Sequence, residues 1–534
     1  MNYNNNTPQN SQYKKHTFVL KAFKNSQLIK YPKLTELYFN PTSHIYLDPR
    51  AFTKLCKGLK TLKSLNVLYL NFSYTKELDN KSMRELSLAL RQLHGLTTLS
   101  LNFKQNYYIT GEGIAKLLKT VKKNRFLSEL YLDFSGCGKV SEEQLNSIYT
   151  SISKMKLLTN FHINHFDISM QRAGGLEEFN DNLLKLRRLN YMKDLSMNFK
   201  LCQTFHNDNL TSLSRGIRRM VRLSKVYLDL SHRQGFQESG LKALASSLKS
   251  LTKLQKLHLC FISSYASKLL WFDIISQAIA NSPTLSNLVL DFSKNVQATS
   301  SQTENLLLSL QTLKNLSKLD INFSSCSSFE NDTLQFLTQG IMNLTDLSSL
   351  KLNFSECPRI NGEGLLHLTH ALRNLPALKI FELSLTKQSL KSGFLSFTEV
   401  LTCPVNLSKL MLNFAHSKDL ENEEIKALAA SLDKFENLEY LELNLSFSLT
   451  ITDEGLHELA SHIGNLHSLK TLNLNFFGCN YISAEGCAFL KSQIARLELL
   501  KQTNLNFPST ISSSGFTRPE SQQQHQEKSI CSLI

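Results

Sequence analysis

Short bursts of apolar and polar residues alternate along this chain with two different periods. Leu130, Leu132 and Phe134 alternate with Tyr131, Asp133 and Ser135. Period two puts the first set on a buried face and the second on an outward face, so a strand is predicted. At Leu456, Leu459, Ile463 and Leu466 the apolar spacing is three and four, which predicts a helix. Six residues past the strand's Phe comes one more apolar position, as at Ile109, Val140, Ile360, Leu420, Ile451 and Ile482. The helix then opens on acidic or Gly-rich residues, as in Thr452-Asp-Glu-Gly455, and acidic groups suit the positive end of a helix. Strand, turn and helix make one unit.

The unit recurs. Indexed by its Phe position, it falls at Pro41, Phe72, Phe103, Phe134, His165, Phe199, Leu230, Phe261, Phe292, Phe323, Phe354, Leu385, Phe414, Leu445, Phe476 and Phe507. Thirteen of the fifteen steps are 31 residues and the others are 34 and 29, which is too regular for chance. A fixed period of this size means stacked units, none able to bury its apolar face alone. The long step near residues 160–190 and the short one near 385–401 are read as drifted repeats, with a bulge in the strand surface as the functional alternative.

The motif L-x-x-L-x-L, as in Leu347, Leu350 and Leu352, together with Cys three residues past the Phe position (Cys137, Cys202, Cys326, Cys357, Cys479), resembles the leucine-rich repeat proteins over roughly residues 30–507. Ile451-Thr-Asp-Glu-Gly455-Leu456 and Ile360-Asn-Gly-Glu-Gly364-Leu365 are similar to the cysteine-containing and ribonuclease-inhibitor-like branches. The chain departs from them in repeat length and in carrying Phe where the strand usually stops. The resemblance implies an α/β solenoid shaped as a horseshoe, with protein binding rather than chemistry as its work. Helical crossovers require parallel strands. Thicker helices fan out on the convex side while strands line the concave one. The expected organisation is a disordered N-terminus over 1–20, a solenoid of about 16 repeats over 21–507 and a flexible polar tail over 508–534. The run Phe18 to Leu28 is read as a partial capping helix.

Composition changes this picture in two ways. A hydrophobic content of 42% over 534 residues suffices for one continuous core, so no second domain is needed. The net charge of +16 is uneven: residues 1–250 hold 38 Lys and Arg against 18 Asp and Glu, whereas the remainder holds 22 against 26. The first half is therefore strongly basic. The cysteines of the repeat phase read as buried free thiols. Met1 to Lys15 lacks the apolar run of a secretory signal, and no stretch of 18 apolar residues occurs. A cytoplasmic location is expected.

Four features are candidates for function. The residue before the Phe position is Asn or Asp in fourteen of sixteen units, read as a structural ladder of stacked side-chain amides. Two residues earlier, the first half presents Tyr38, Tyr69, Tyr131, His162, Tyr227 and His258, the aromatic mixture enriched at interfaces and the expected partner footprint. A basic ladder on the helices includes Lys122, Lys123, Arg187 and Arg188. The set Arg215, Arg218, Arg219 and Arg222 has the spacing of one helix face. An acidic protein or an anionic membrane suits this ladder better than nucleic acid, since no RNA-binding motif appears. Finally, Cys531-Ser-Leu-Ile534 is similar to a prenylation box, which would make the chain a peripheral membrane protein. Ser135-Gly-Cys-Gly138-Lys139 lacks the spacing of a phosphate-binding loop, and no metal or nucleophile motif appears, so no enzyme activity and no cofactor are expected. The expected function is a protein-interaction scaffold. The alternative is regulation of an enzyme in trans, as in the GTPase-activating and ribonuclease-inhibitor-like relatives, from which no residue carries over.

Overall fold

The computed structural model describes residues 17–20, 33–40, 49–75, 77–165, 176–200, 202, 205–232, 236–264, 271–404 and 406–508. Two compact units emerge, Met1–Asn295 with Asn305–Leu316, and Val296–Glu304 with Ser317–Ile534. Each repeats one motif, a strand of four or five residues, a turn and a helix of ten to twelve residues.

In the first unit each strand pairs in parallel with the next in the sequence. Leu68, Leu99, Leu130, Phe161, Leu195, Val226, Leu257 and Leu288 thereby form one buried column. The second unit does the same from Leu319 through Leu350, Phe381, Leu410, Leu441 and Leu472. The residue after the strand, Phe in most units, forms a second buried column. Phe103 stacks on Phe134 at 5.9 Å between centroids, Phe261 on Phe292 at 5.6 Å, and Phe323 meets Phe354 at 5.7 Å. Each such pair adds about 0.5–1.5 kcal/mol beyond its area burial, which accounts for Phe at this position. Inward rings also meet the helices: Phe52 packs its edge on Phe72 at 5.0 Å and Phe394 on Phe414 at 5.2 Å. The helices therefore cover one face of the sheet and leave the alternate strand residues on the other.

The turn after each strand explains two sequence columns. The Asn or Asp before the Phe accepts the backbone N–H two residues on, as in Ser73 to Asn71 at 3.0 Å, Ser135 to Asp133 at 3.0 Å, Ser355 to Asn353 at 3.0 Å and Ser446 to Asn444 at 3.1 Å. Contacts along the column occur at a few places, Asn71 to Asn40 and Asn164 to Asp133 at 2.8 Å each and Asn506 to Asn475 at 3.0 Å. The ladder expected from the sequence is thus a secondary use of a residue whose recurring task is to close the turn. The residue three past that Asn enters the left-handed region, with φ of 62° at Tyr74, 59° at Glu356 and 68° at Gly136. The cysteine phase sits one place further. Cys137 Sγ donates to Phe103 O at 3.1 Å, Cys357 to Phe323 O at 3.3 Å and Cys479 to Leu445 O at 3.1 Å. Asn106 and Asn295 do the same with side-chain amides, to Phe72 O at 2.8 Å and Phe261 O at 2.9 Å. These cysteines are free and buried, and each stitches one turn to the turn before it.

Helix starts are shared between neighbours. Asn331 Oδ1 accepts the backbone N–H of Asn361 at 3.0 Å, and Asn422 Oδ1 that of Thr452 at 3.0 Å. A Cβ on Gly364 would lie 2.7 Å from Asn331 Oδ1, so the Gly of the Glu-Gly-Leu motif is demanded by close approach.

Both irregular steps leave the strand pairing intact. Asn160 still pairs with Asp194, and the three extra residues fall between the strand Asn160–Asn164 and the helix Leu176–Lys185. His165 takes the Phe position, stacked on Phe199 at 4.5 Å and bonded to Tyr149 Oη at 2.5 Å. Among the described residues the strand surface carries no bulge there. The short step removes two residues from the turn after Ile380–Ser384, and Lys391–Leu401 forms a full helix where the sequence signal is weak. Its start is held by the carboxylate of Asp419, which accepts Leu390 N at 3.1 Å and Lys391 N at 2.9 Å. At the N-terminal end, Thr17–Leu20 is a strand paired with Glu36–Phe39, not the beginning of a helix. The rest of the run to Leu28 lies outside the described residues. So does the tail beyond Pro508, with Cys531.

Candidate functional site

The outward strand face of the first unit gathers the predicted aromatic residues into a file. Tyr38 stacks on Tyr69 at 4.8 Å, Tyr69 lies 6.5 Å from Tyr131, Tyr131 stacks on His162 at 4.6 Å, and Tyr227 meets His258 edge-on at 4.5 Å. Strand register makes this possible, because Tyr131, His162, Ser196, Tyr227 and His258 occupy successive equivalent positions. The small Ser100 between Tyr69 and Tyr131 lets those two rings approach across a strand.

Exposure departs from the sequence reading. Five of the six side chains are half-buried, and Tyr227 is only 5% exposed, covered against His258 and Cys260. Large side chains on strands about 4.8 Å apart shield one another even on an outward face. Charged groups surround the file. Tyr131 Oη donates to Glu129 Oε2 at 3.3 Å, His162 Nε2 lies 3.4 Å from Asp194 Oδ1, and Lys225 Nζ lies 3.4 Å from Asp194 Oδ2. Burial lowers the His162 pKa against the pull of Asp194, and it lowers that of His258 to about 4, so His258 is held neutral at physiological pH. Burial also raises the phenol pKa values of Tyr69 and Tyr131. Glu129, Asp194 and Lys225 escaped the sequence reading, since only the strand register shows that they flank the rings.

In the second unit the same column is mostly polar, with Met411 between Glu382 and Glu442, and its polar groups from Lys351 to Asn473 are engaged with one another or with Tyr440 beside them. Lys351 Nζ bonds Glu382 at 2.5 Å. Tyr440 Oη donates to Glu442 at 2.6 Å and accepts from Asn473 at 2.8 Å, while Lys409 lies over the Tyr440 ring at 3.9 Å.

The basic ladder is real as a surface but is placed differently from the expectation. Lys122 and Arg218 are the C-caps of the helices Gly111–Val121 and Asn207–Ile217, and Lys123 and Arg219 follow them. Arg187 and Arg188 lie in the short 3-10 turn Leu186–Arg188. Of the four arginines expected on one helix face, only Arg215 lies within the helix, and Arg222 sits in the following turn over the Tyr191 ring at 4.8 Å. The spacing misleads because the helix ends at Ile217. A cation at a helix C-terminus faces the negative end of the dipole, worth about 0.3–1 kcal/mol, which supplies a structural reason for the ladder. Repeat stacking nonetheless brings Arg187, Arg188, Arg215, Arg218 and Arg219 around shared surface clefts. Among the described residues none of these five forms an ion pair with a carboxylate. Burial, then Lys154 and the neighbouring lysines, lowers the Lys122 pKa.

Among the described residues no group of three His, Cys, Asp or Glu is placed to hold a metal ion, and no helix is long and apolar enough to cross a membrane. The repeated L-x-x-L-x-L strand, its in-register parallel pairing and its helical return are those of the α/β leucine-rich repeat solenoid fold. No family model matches it, and neither does any curated protein. Among solved structures, the complex of Rad7 and Elc1 in yeast aligns with 82% of this chain and 86% of that one, at 17% identity and a TM-score of 0.42. A leucine-rich repeat protein of Leptospira interrogans aligns with 91% of this chain and 93% of that one, at 15% identity and a TM-score of 0.39. Likenesses this distant carry no functional information.

Proposed function

We propose that the protein is a non-enzymatic cytoplasmic scaffold that seats a protein partner on the aromatic half of its strand face. The observation that carries this reading is the stacked file Tyr38, Tyr69, Tyr131, His162 in the first unit. Rings already held by stacking lose little side-chain freedom on binding, and Tyr offers apolar area with a polar tip. The equivalent column of the second unit has its polar groups from Lys351 to Asn473 engaged with one another or with Tyr440. The partner is acidic overall, because the first half of the chain is strongly basic. The lipid expected on Cys531 would give this scaffold a membrane address. Mass spectrometry finding the peptide unmodified, with Ser532-Leu533-Ile534 still attached, removes that part.

Affinity capture with Tyr69→Ser/Tyr131→Ser and, as control, with Glu442→Ser tests the reading. Proteins retained by the parent chain and the control but lost by the double variant support it. Identical retention by all three refutes it. Stimulation of a GTPase by the purified chain would move the function to regulation of an enzyme in trans.

A further inference from the structure

The turn leading from each helix into the next strand exposes one residue three places before that strand. In the first unit Glu129 pairs with Asn160, Asn160 with Asp194, Asp194 with Lys225 and Lys225 with Lys256. Phe126, Leu157, Tyr191, Arg222 and Lys253 therefore stand in one file at the strand spacing of about 5 Å. The first three project into solvent, at 63%, 52% and 47% exposure, and Val221 beside Arg222 is 57% exposed. Other repeats of this unit carry Ser64, Gly95 and Thr284 at the same position. Three large apolar side chains from consecutive repeats are thus held side by side in water, and of these only Tyr191 has a side-chain partner among the described residues, the Arg222 guanidinium over its ring.

Cations surround this file. Lys156, Arg187, Arg188 and Arg219 line one cleft with Tyr191, and Lys123 and Arg125 lie with Phe126. Among the described residues these six cations have no carboxylate in an ion pair. Aromatic and aliphatic side chains ringed by unpaired cations match the border of an anionic bilayer, where rings enter the interface and phosphate-bearing headgroups neutralise Arg and Lys. The apolar residues project from a row of turns beside these clefts, and side chains that project in this way can enter the interface of a bilayer.

We propose that this edge of the first unit is a peripheral docking site for anionic membranes. Phe126, Leu157 and Tyr191 enter the interface, and Arg187, Arg188 and Arg219 hold the headgroups. The site is separate from the aromatic strand face and leaves that face open to a partner.

Sedimentation of the full chain with phosphatidylcholine vesicles, with and without phosphatidylserine, tests it. Capture is expected with the anionic vesicles alone and falls as salt is raised. Phe126→Ser/Leu157→Ser/Tyr191→Ser should lower capture about tenfold or more. Arg187→Glu/Arg188→Glu/Arg219→Glu should abolish it. Tyr69→Ser/Tyr131→Ser should leave it unchanged, so failure here is distinguishable from failure of the partner reading. Tyr191→Trp should shift its emission to the blue on adding anionic vesicles, against the background of the one native Trp, Trp271. All the substituted edge residues are exposed, and unchanged thermal melting checks the fold. Equal capture by both vesicle types overturns the proposal, as does parent-like capture of the apolar triple variant. Binding to polyglutamate without binding to anionic vesicles also overturns it and makes the edge a dock for acidic protein.

Discussion

Paired substitutions at Asn322 and Asn413 separate the two physical explanations for the Asn column. Asn322 Oδ1 accepts Ser324 N at 3.0 Å and Asn413 Oδ1 accepts Ala415 N at 3.3 Å. Aspartate keeps the acceptor and loses the amide donor, whereas alanine loses both. The strands Lys318–Asn322 and Lys409–Asn413 are three steps apart in the second unit. At about 4.8 Å per step the sites are roughly 14 Å apart, far enough for their effects to add. Each alanine leaves a turn N–H without its acceptor, at about 1 kcal/mol in this half-exposed setting. Asn322→Ala/Asn413→Ala should therefore cost about 2 kcal/mol, and Asn322→Asp/Asn413→Asp less than about 0.5 kcal/mol. Guanidinium unfolding followed by circular dichroism measures the difference. Hydrogen exchange of the two turns localises it, because a repeat stack need not unfold in one step. If the aspartate pair is as destabilised as the alanine pair, amide donation along the column sustains the turn, and the side-chain acceptor is not what fixes Asn at this position.

Leu352, 1% exposed between Ile321 and Leu383, should lose several kcal/mol on Leu352→Asp, and an unchanged melting temperature and protease resistance would contradict its inward placement. Native labelling with iodoacetamide at pH 8 should modify Cys403 and spare Cys137 and Cys357, which are buried with thiol pKa values pushed up to about 12. Burial lowers the His165 pKa to about 3, so the folded chain keeps it neutral while the unfolded chain takes up a proton below about pH 6.5. Its contribution to stability is thus lost progressively as pH falls from about 6.5 towards 3, and Tyr149→Phe/His165→Phe should flatten that part of a urea-midpoint profile.

The fold is legible in the sequence because its cause is local and repeated. A period of 31 residues with a two-residue alternation leaves each unit only one way to bury its apolar face, namely against the next copy. The cysteine phase is legible as buried thiols, though not as donors to the carbonyl 34 residues earlier. Where sequence and structure part, the missing information is an end point or a neighbour. Arg222 has the spacing of a helix that in fact stops at Ile217, since four residues at helical spacing do not reveal a C-cap. Tyr227 is covered although its strand position points outward, because period two gives the direction of a side chain and not what lies across the strand from it.

Sequence alone therefore determined the repeat, the strand and helix of each unit, the inward columns and the basic bias of the first half. These follow from periodicity and composition, which a single chain carries in full. Tertiary structure decided which residues separated by 31 or 34 positions stand side by side. It placed Glu129, Asp194 and Lys225 around the aromatic file, and it aligned Phe126, Leu157 and Tyr191 along one basic edge. Each of those residues is unremarkable in its own repeat. Parallel pairing in register sets neighbouring repeats about 5 Å apart, and only at that spacing do single exposed side chains become a surface.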